Sequence, residues 1–149
     1  MSRFLAEGDV IVATLSPDER AFLSDVVPML MSLTPDDPAS QRLRPPVYLA
    51  NPEADAEWWR LMGPELAEAK SSDRSAFRRM VESPHGAVLT DAEADAVLRV
   101  LNEARLVLGV RLGIEVEADY DDLTPERAWM LDFFAILQEE LMEQLSSRL

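Results

Sequence analysis

The stretch from Thr90 to Gly113, TDAEADAVLRVLNEARLVLGVRLG, constrains the fold of this chain more than any other. Thr90 and Glu93 have the spacing of an N-terminal capping box, and Gly113 stands where a left-handed C-terminal cap belongs. The apolar residues between these ends surround more of the helix than one amphipathic stripe would occupy. The stretch therefore predicts a central helix around which other helices pack. Since glycine is costly inside a helix, we expect Gly109 to admit the close approach of another backbone.

Chain length and composition indicate a single domain. The 149 residues, 48% of them apolar, are enough for one substantial core and too few for two. We expect a hairpin over residues 1–15 and a helical core over residues 16–149. This is a mainly α fold, with about five helices in a bundle around the buried central helix. No apolar run has the length of a membrane span and no signal segment opens the chain, so a cytoplasmic location is expected.

Charge and cysteine content argue against several classes of function. The net charge of -14 repels phosphate backbones, and no dense cluster of basic residues offsets it, so direct nucleic-acid binding is not expected. The chain has no cysteine. Disulfide frameworks, thiol catalysis and thiolate metal sites are therefore excluded.

The N-terminal residues have the pattern of a β-hairpin. Two β-prone runs, Arg3 to Ala6 and Asp9 to Leu15, are joined through Glu7-Gly8. An isolated hairpin is marginally stable in water, so this one covers an end of the helical core or pairs with a strand of another chain. We expect the covering role, with strand addition by a partner as the alternative.

Caps and prolines divide the next part of the chain. Ser16 to Glu19 is a capping box that begins a helix reaching about Leu33, which Pro28 is expected to kink. Thr34 to Ser40 has the composition of a loop. The segment from Gln41 to Asn51 contains two consecutive prolines and predicts an extended strap, because proline is excluded from a helix interior.

Further helices are expected on both sides of the central one. Asn51 is a predicted N-cap, and the helix that follows it should end at Gly63-Pro64, before another from Pro64 to Val81. After the central helix, Ile114 to Val116 suggests a short strand. Thr124 then caps a last helix with a broad apolar face, which makes a homodimer interface possible.

The sequence contains no recognisable catalytic motif. His85 is the only histidine and lies in a Pro-His-Gly turn, and there is neither a GxSxG motif nor a glycine-rich phosphate loop. Asp119, Asp121 and Asp122 are the one candidate cation group, but they lack the glycine and the terminal glutamate of a calcium loop. We therefore predict a solvated acidic loop, no metal, no cofactor and no enzymatic activity.

Polar residues of the central helix are the best functional candidates. Asn102 and Arg105 share one face of the predicted helix. Because a buried guanidinium needs its donors satisfied, we expect first a structural role, in which Arg105 pairs with a carboxylate of a neighbouring helix or with the strap. The functional alternative is an anion pocket that joins Arg105 to Arg42 or Arg44. The candidate ligand- or partner-binding residues are Arg42, Arg44, Tyr48, Asn102, Arg105 and Arg111.

Three segments resemble an actinobacterial domain-of-unknown-function family. They are LNEARLVLGVRLGI (Leu101 to Ile114), RLRPPVY (Arg42 to Tyr48) and DYDDLTPERAWML (Asp119 to Leu131). The family pattern is a Leu-Asn-x-x-Arg-Leu-x-Leu-Gly-x-Arg-Leu helix. The resemblance implies genes often encoded near the ClpS adaptor, and AosR-like transcription regulators that contact a sigma factor under oxidative stress. Cysteine-based sensing does not carry over, because this chain has no cysteine.

Together these observations predict a non-enzymatic regulatory module that binds another protein, in transcriptional or stress regulation. The alternative is a small-anion binding protein or enzyme that uses an Arg/Asn pocket for phosphate or carboxylate. Sequence-specific DNA binding comes third, and no membrane partner is expected.

Overall fold

A computed structural model describes residues 2–147. The strands are β1 (Phe4–Glu7), β2 (Val10–Ala13) and β3 (Ala87–Leu89), antiparallel and adjacent in that order. The helices are α1 (Pro17–Leu23), α2 (Val26–Met31), α3 (Pro38–Leu43), α4 (Pro52–Val81), α5 (Asp91–Arg111), α6 (Glu117–Asp121) and α7 (Pro125–Ser146). The prediction of a mainly α fold with a small N-terminal hairpin is confirmed.

Helix α5 is the predicted central helix, and both of its ends form as expected. The hydroxyl of Thr90 accepts the N–H of Glu93 at 3.1 Å, and the Glu93 carboxylate accepts the N–H of Thr90 at 3.0 Å. Gly113 has a φ of 76°. The N–H of Ile114 donates to the carbonyl of Gly109 at 2.9 Å, which is the longer bond of a Schellman motif. Between these ends, α5 packs against α3, α4 and α7.

Gly109 does not serve a close backbone approach. A Cβ placed on it would meet no atom within 4 Å, so the sequence-based expectation is wrong. The residue lines open space beside α5 instead.

The two helix-disrupting prolines act differently from the prediction. The expected kinked helix is divided into α1 and α2 at Ser24 and Asp25, and Pro28 lies in the first turn of α2. Backbone N–H groups of a first turn have no partner within the helix, so proline is tolerated there. Pro64 does not end a helix, since α4 runs through it for 30 residues. Packing of α4 along α5 outweighs the local effect of one proline.

The predicted loop and strap are shorter than expected because α3 occupies residues 38–43. The carboxylate of Asp37 accepts the N–H of Ala39 at 2.9 Å and caps this helix, with Pro38 in its first turn. Ala39 is fully buried, and α3 packs on α5. The non-helical strap therefore comprises residues 44–51.

The short strand expected after the central helix is not formed at residues 114–116. The N–H groups of Glu115 and Val116 donate instead to Asp119 Oδ2, at 2.9 and 3.1 Å, and α6 follows. These bonds hold the pKa of Asp119 below its usual value.

The sheet covers one end of the helical core. Phe4 and Ile11 are fully buried, and the unpredicted strand β3 pairs Leu89 with Ile11. At the outer edge of β1, the N–H of Phe4 donates to Ser2 Oγ at 3.3 Å, and that of Ala6 donates to Gln144 Oε1 at 2.9 Å. Because side chains already satisfy these edge groups, the structure favours a covering role over strand addition by a partner.

None of the helices within residues 2–147 combines the length and the apolarity that crossing a bilayer would require.

Candidate functional site

A groove of about 810 Å³ lies between the end of α3, the start of the strap, α4 and α5. Its largest apolar side chains are Leu43, Trp59, Leu66, Leu98 and Leu106. Leu98 and Leu106 are close to two helical turns apart, so they lie on the same side of α5. Leu106 remains 37% exposed, although it belongs to the central helix. This side of α5 is therefore only partly covered, with Leu98 partly buried and Leu106 exposed.

A second space, of about 350 Å³, continues along α5 toward α6 and α7. Arg42, Asn102 and Leu106 line both spaces, which together form one groove. We call it the α5 groove, and its α5 wall contains Leu98, Asn102, Leu106 and Val110. The stretch from Leu98 to Val110 is roughly 18 Å long at the helical rise per residue.

The wide part of the groove carries more positive than negative charge. Its cations are Arg42, Arg44, Lys70 and Arg99, and its carboxylates are Asp73 and Glu103. This local balance is opposite to that of the whole chain, whose net charge is -14. The basic side chains of the groove therefore attract an acidic group that enters it.

Both carboxylates are held by ion pairs that join α4 to α5. Glu103 has an 11% exposed side chain, and its Oε2 lies 3.1 Å from Arg74 Nη2 and 3.4 Å from Lys70 Nζ. Asp73 accepts two hydrogen bonds from Arg99, each 2.8 Å long, and this pairing raises the pKa of Arg99. Sequence reasoning missed these pairs because their partners are far apart along the chain. The available signal was the presence of Arg99 and Glu103 in the apolar central helix.

Arg42 and Arg44 have no ion-pair partner among the residues that the structure describes. The guanidinium carbon of Arg44 lies 4.2 Å from the centroid of the Trp59 ring, a cation–π contact that fixes the start of the strap over α4. Arg42 lies in the last turn of α3. Their hydrogen-bond donors are thus available to a ligand.

The narrow part of the groove brings together three of the predicted residues, Arg42, Asn102 and Arg105. All three side chains are exposed. Arg105 Nη1 lies 3.5 Å from Gln138 Oε1, a long hydrogen bond, and Arg105 has no ion pair within residues 2–147. The structural explanation, a buried and paired Arg105, is therefore contradicted.

The other predicted residues lie apart from this group or take structural roles. Arg111 Nη2 lies 3.3 Å from Asp37 Oδ2 and ties the end of α5 to the N-cap of α3. Tyr48 is half-exposed in the strap, and its N–H donates to Asp55 Oδ1 at 3.2 Å. Neither residue lines the α5 groove.

A tyrosine–aspartate pair, which sequence reasoning did not identify, borders the narrow part. The hydroxyl of Tyr120 donates to Asp132 Oδ1 at 2.6 Å. This bond raises the pKa of Tyr120 and occupies one oxygen of the only carboxylate in that lining. The described residues contain no cluster of three or more side chains arranged to hold a metal ion.

Comparisons with known proteins identify a family. No curated protein and no solved structure matches the chain. A family model described as a domain of unknown function (DUF2017) matches residues 1–145, nearly the whole sequence. The chain belongs to the DUF2017 family.

Proposed function

We propose that the protein is a non-enzymatic regulatory module that binds a segment of a partner protein in the α5 groove. The observation that carries this proposal is a partly uncovered, leucine-lined face of the central helix. Beside it lie guanidinium groups that form no ion pair among the described residues. Apolar grooves of this kind bind the apolar face of an amphipathic helix. A groove of roughly 18 Å accommodates about three turns of such a helix.

A partner protein suits the groove better than a small ligand does. The apolar side chains extend along α5 from the partly buried Leu98 through the exposed Leu106 to the partly buried Val110, and contiguous accessible apolar surface is typical of interaction sites. The exposed guanidinium groups of Arg42 and Arg105 would hold a small anion only weakly, because water competes for both partners. A protein segment adds the apolar contacts that a small anion lacks.

The experiment is selection of a displayed library of amphipathic peptides, about five turns long, on the full chain. Affinities of the selected peptides are then measured by fluorescence polarisation. Leu106→Ser should weaken binding by about tenfold or more, since it removes apolar contact area from both parts of the groove. Leu61→Ser is the matched control, because Leu61 is 61% exposed on α4 and lies outside the groove. Failure to select any peptide, or equal binding by both variants, would contradict the proposal.

The regulatory part of the proposal rests on the resemblance of Leu101 to Ile114 to a family with AosR-like members, which are described as transcription regulators that contact a sigma factor. We propose that this protein likewise acts in transcriptional or stress regulation through protein contacts. A different use of exposed apolar residues is homodimerisation through Trp129, Ile136 and Met142 of α7. Light scattering over a range of protein concentrations distinguishes a dimer from a monomer that binds peptides.

Small-anion binding is the second candidate, because Arg42, Asn102 and Arg105 line one space. A thermal-shift series with phosphate and with di- and tricarboxylates tests it. A rise in melting temperature that Arg105→Gln abolishes would support this function, and no rise with any anion would count against it.

A further inference from the structure

We propose that the narrow part of the α5 groove is a carboxylate subsite, in which Arg42, Asn102 and Arg105 receive an acidic side chain of the bound partner segment. This inference rests on the proposed function and specifies the chemistry of the partner. The partner segment is then an amphipathic helix with apolar anchors and, about two turns away, a glutamate or aspartate.

Two secondary-structure elements converge to form the subsite. Asn102 and Arg105 are three positions apart on α5 and share a face, and Arg42 reaches the same space from the last turn of α3. The long contact with Gln138 places Arg105 against α7 without neutralising its charge. Guanidinium groups bind carboxylates through paired hydrogen bonds, and an amide N–H can add another.

Apart from one long bond of Arg105, the donors of these three residues have no partner among residues 2–147. Among residues 2–147, neither Arg42 nor the Asn102 side chain has a hydrogen-bond partner, and Arg105 has only the long bond to Gln138. An arriving carboxylate therefore displaces water and breaks no ion pair. This distinguishes Arg42 and Arg105 from Arg99, which is already paired with Asp73.

Neighbouring charges favour an acidic guest at this end. Among residues 2–147, Asp132 is the only carboxylate that lines the narrow part, and the Tyr120 hydroxyl donates to it. In the wide part, Asp73 and Glu103 are neutralised by their own cations. Since the whole chain carries a net charge of -14, an acidic segment is repelled elsewhere and attracted here.

The spacing along α5 sets the pattern of the partner. Leu98 lies in the wide, apolar part and Arg105 in the narrow part, roughly 10 Å further along the helix. A helical segment lying along α5 covers that distance in about two turns. Its apolar anchors would contact Leu66 and Leu98, and its carboxylate would reach Arg105.

The test uses a displayed library of amphipathic helical peptides whose polar positions hold equal amounts of Glu and Gln. Glutamine has nearly the shape of glutamate without its charge, so the ratio of the two isolates the carboxylate. Selection is run on wild type, Arg42→Gln, Arg105→Gln and Arg105→Lys. The control is Arg127→Gln, an exposed arginine outside the groove. Circular dichroism establishes that each variant is folded.

We expect wild type to enrich Glu over Gln by about tenfold at one position two turns from the apolar anchors. Arg105→Gln and Arg42→Gln should lose most of this preference, Arg105→Lys should keep part of it, and Arg127→Gln should keep all of it. Equal recovery of Glu and Gln, with Leu106→Ser still weakening binding, would overturn the subsite and leave the proposed function standing. Recovery of no peptide would overturn both. Thermal stabilisation by free phosphate or succinate that depends on Arg105, without a Glu preference, would assign the site to a small anion and overturn the inference.

Discussion

Arg99 of α5 and Asp73 of α4 form a bidentate ion pair, with Nε 2.8 Å from Oδ2 and Nη2 2.8 Å from Oδ1. The two side chains differ in environment, since that of Asp73 is 11% exposed and that of Arg99 is 59% exposed. Loss of the arginine leaves a nearly buried carboxylate without its two donors. Loss of the aspartate leaves a guanidinium that water can reach. The pair joins two walls of the α5 groove, and its contribution to stability depends on which partner is removed.

We therefore expect Arg99→Gln to lower the free energy of unfolding by about 1–3 kcal/mol, and Asp73→Asn to lower it by less. Urea denaturation measures both. Arg60→Gln, which breaks an exposed pair with Glu57 on the surface of α4, should have little effect. A larger loss for Asp73→Asn than for Arg99→Gln would show that exposure does not govern this pair.

Pro64 lies inside α4 and cannot donate a backbone hydrogen bond. Since α4 is continuous through this position, an alanine can restore the donor without a change of fold. Pro64→Ala should raise the free energy of unfolding, by up to about 3 kcal/mol. A fall in stability on thermal or urea denaturation would mean that the proline shapes α4 for its packing on α5.

Gly109 within the central helix and Gly113 just after it should respond in opposite directions to alanine. At Gly109 a Cβ meets no atom within 4 Å and the backbone is helical, so Gly109→Ala should stabilise by about 1 kcal/mol. At Gly113 the φ of 76° disfavours any side chain, so Gly113→Ala should destabilise by about 1–2 kcal/mol. Differential scanning calorimetry of the two variants compares them directly. A stabilising Gly113→Ala would contradict the assignment of Gly113 to a Schellman cap, and a destabilising Gly109→Ala would contradict the open space at Gly109.

Glu93 makes the stability of α5 depend on pH. The pKa of Glu93 lies below its ordinary value of 4.5, chiefly because the backbone N–H of Thr90 donates to the carboxylate. The Arg79 guanidinium also lowers this pKa, whereas burial raises it. Because the folded pKa is lower than the unfolded one, this stabilisation is present above the ordinary value and is lost as the pH falls through the folded pKa. Glu93→Gln should therefore lower stability at neutral pH and reduce the fall in stability below pH 4.5.

Urea denaturation across this acid range measures the effect of Glu93→Gln. Thr90→Ala is a useful comparison, because it keeps the backbone N–H and the carboxylate. It should lower the whole curve by about 1 kcal/mol while retaining most of its slope, since the Thr90 hydroxyl makes only a smaller contribution to the lowered pKa of Glu93. An unchanged slope in Glu93→Gln would show that other carboxylates account for the acid dependence.

The amino-acid sequence by itself determined the features that depend on a few consecutive residues. The capping box of Thr90 and Glu93, the left-handed Gly113 and the N-caps Asn51 and Thr124 all form as predicted, since their hydrogen bonds join residues close in sequence. The apolar pattern between Thr90 and Gly113 likewise identified the helix at the centre of the fold.

Tertiary structure decided whatever depends on packing between distant segments. Helix α4 crosses Pro64, α3 forms where a loop was predicted, and β3 adds to the hairpin, because contacts with α5 or β2 outweigh local propensity. The candidate site shows the same division. The sequence identified Arg42, Asn102 and Arg105, but only the folded chain brings the last turn of α3 beside α5 and leaves all three exposed. Whether a charge on a helix is buried depends on what covers that face, which is a property of the assembled chain.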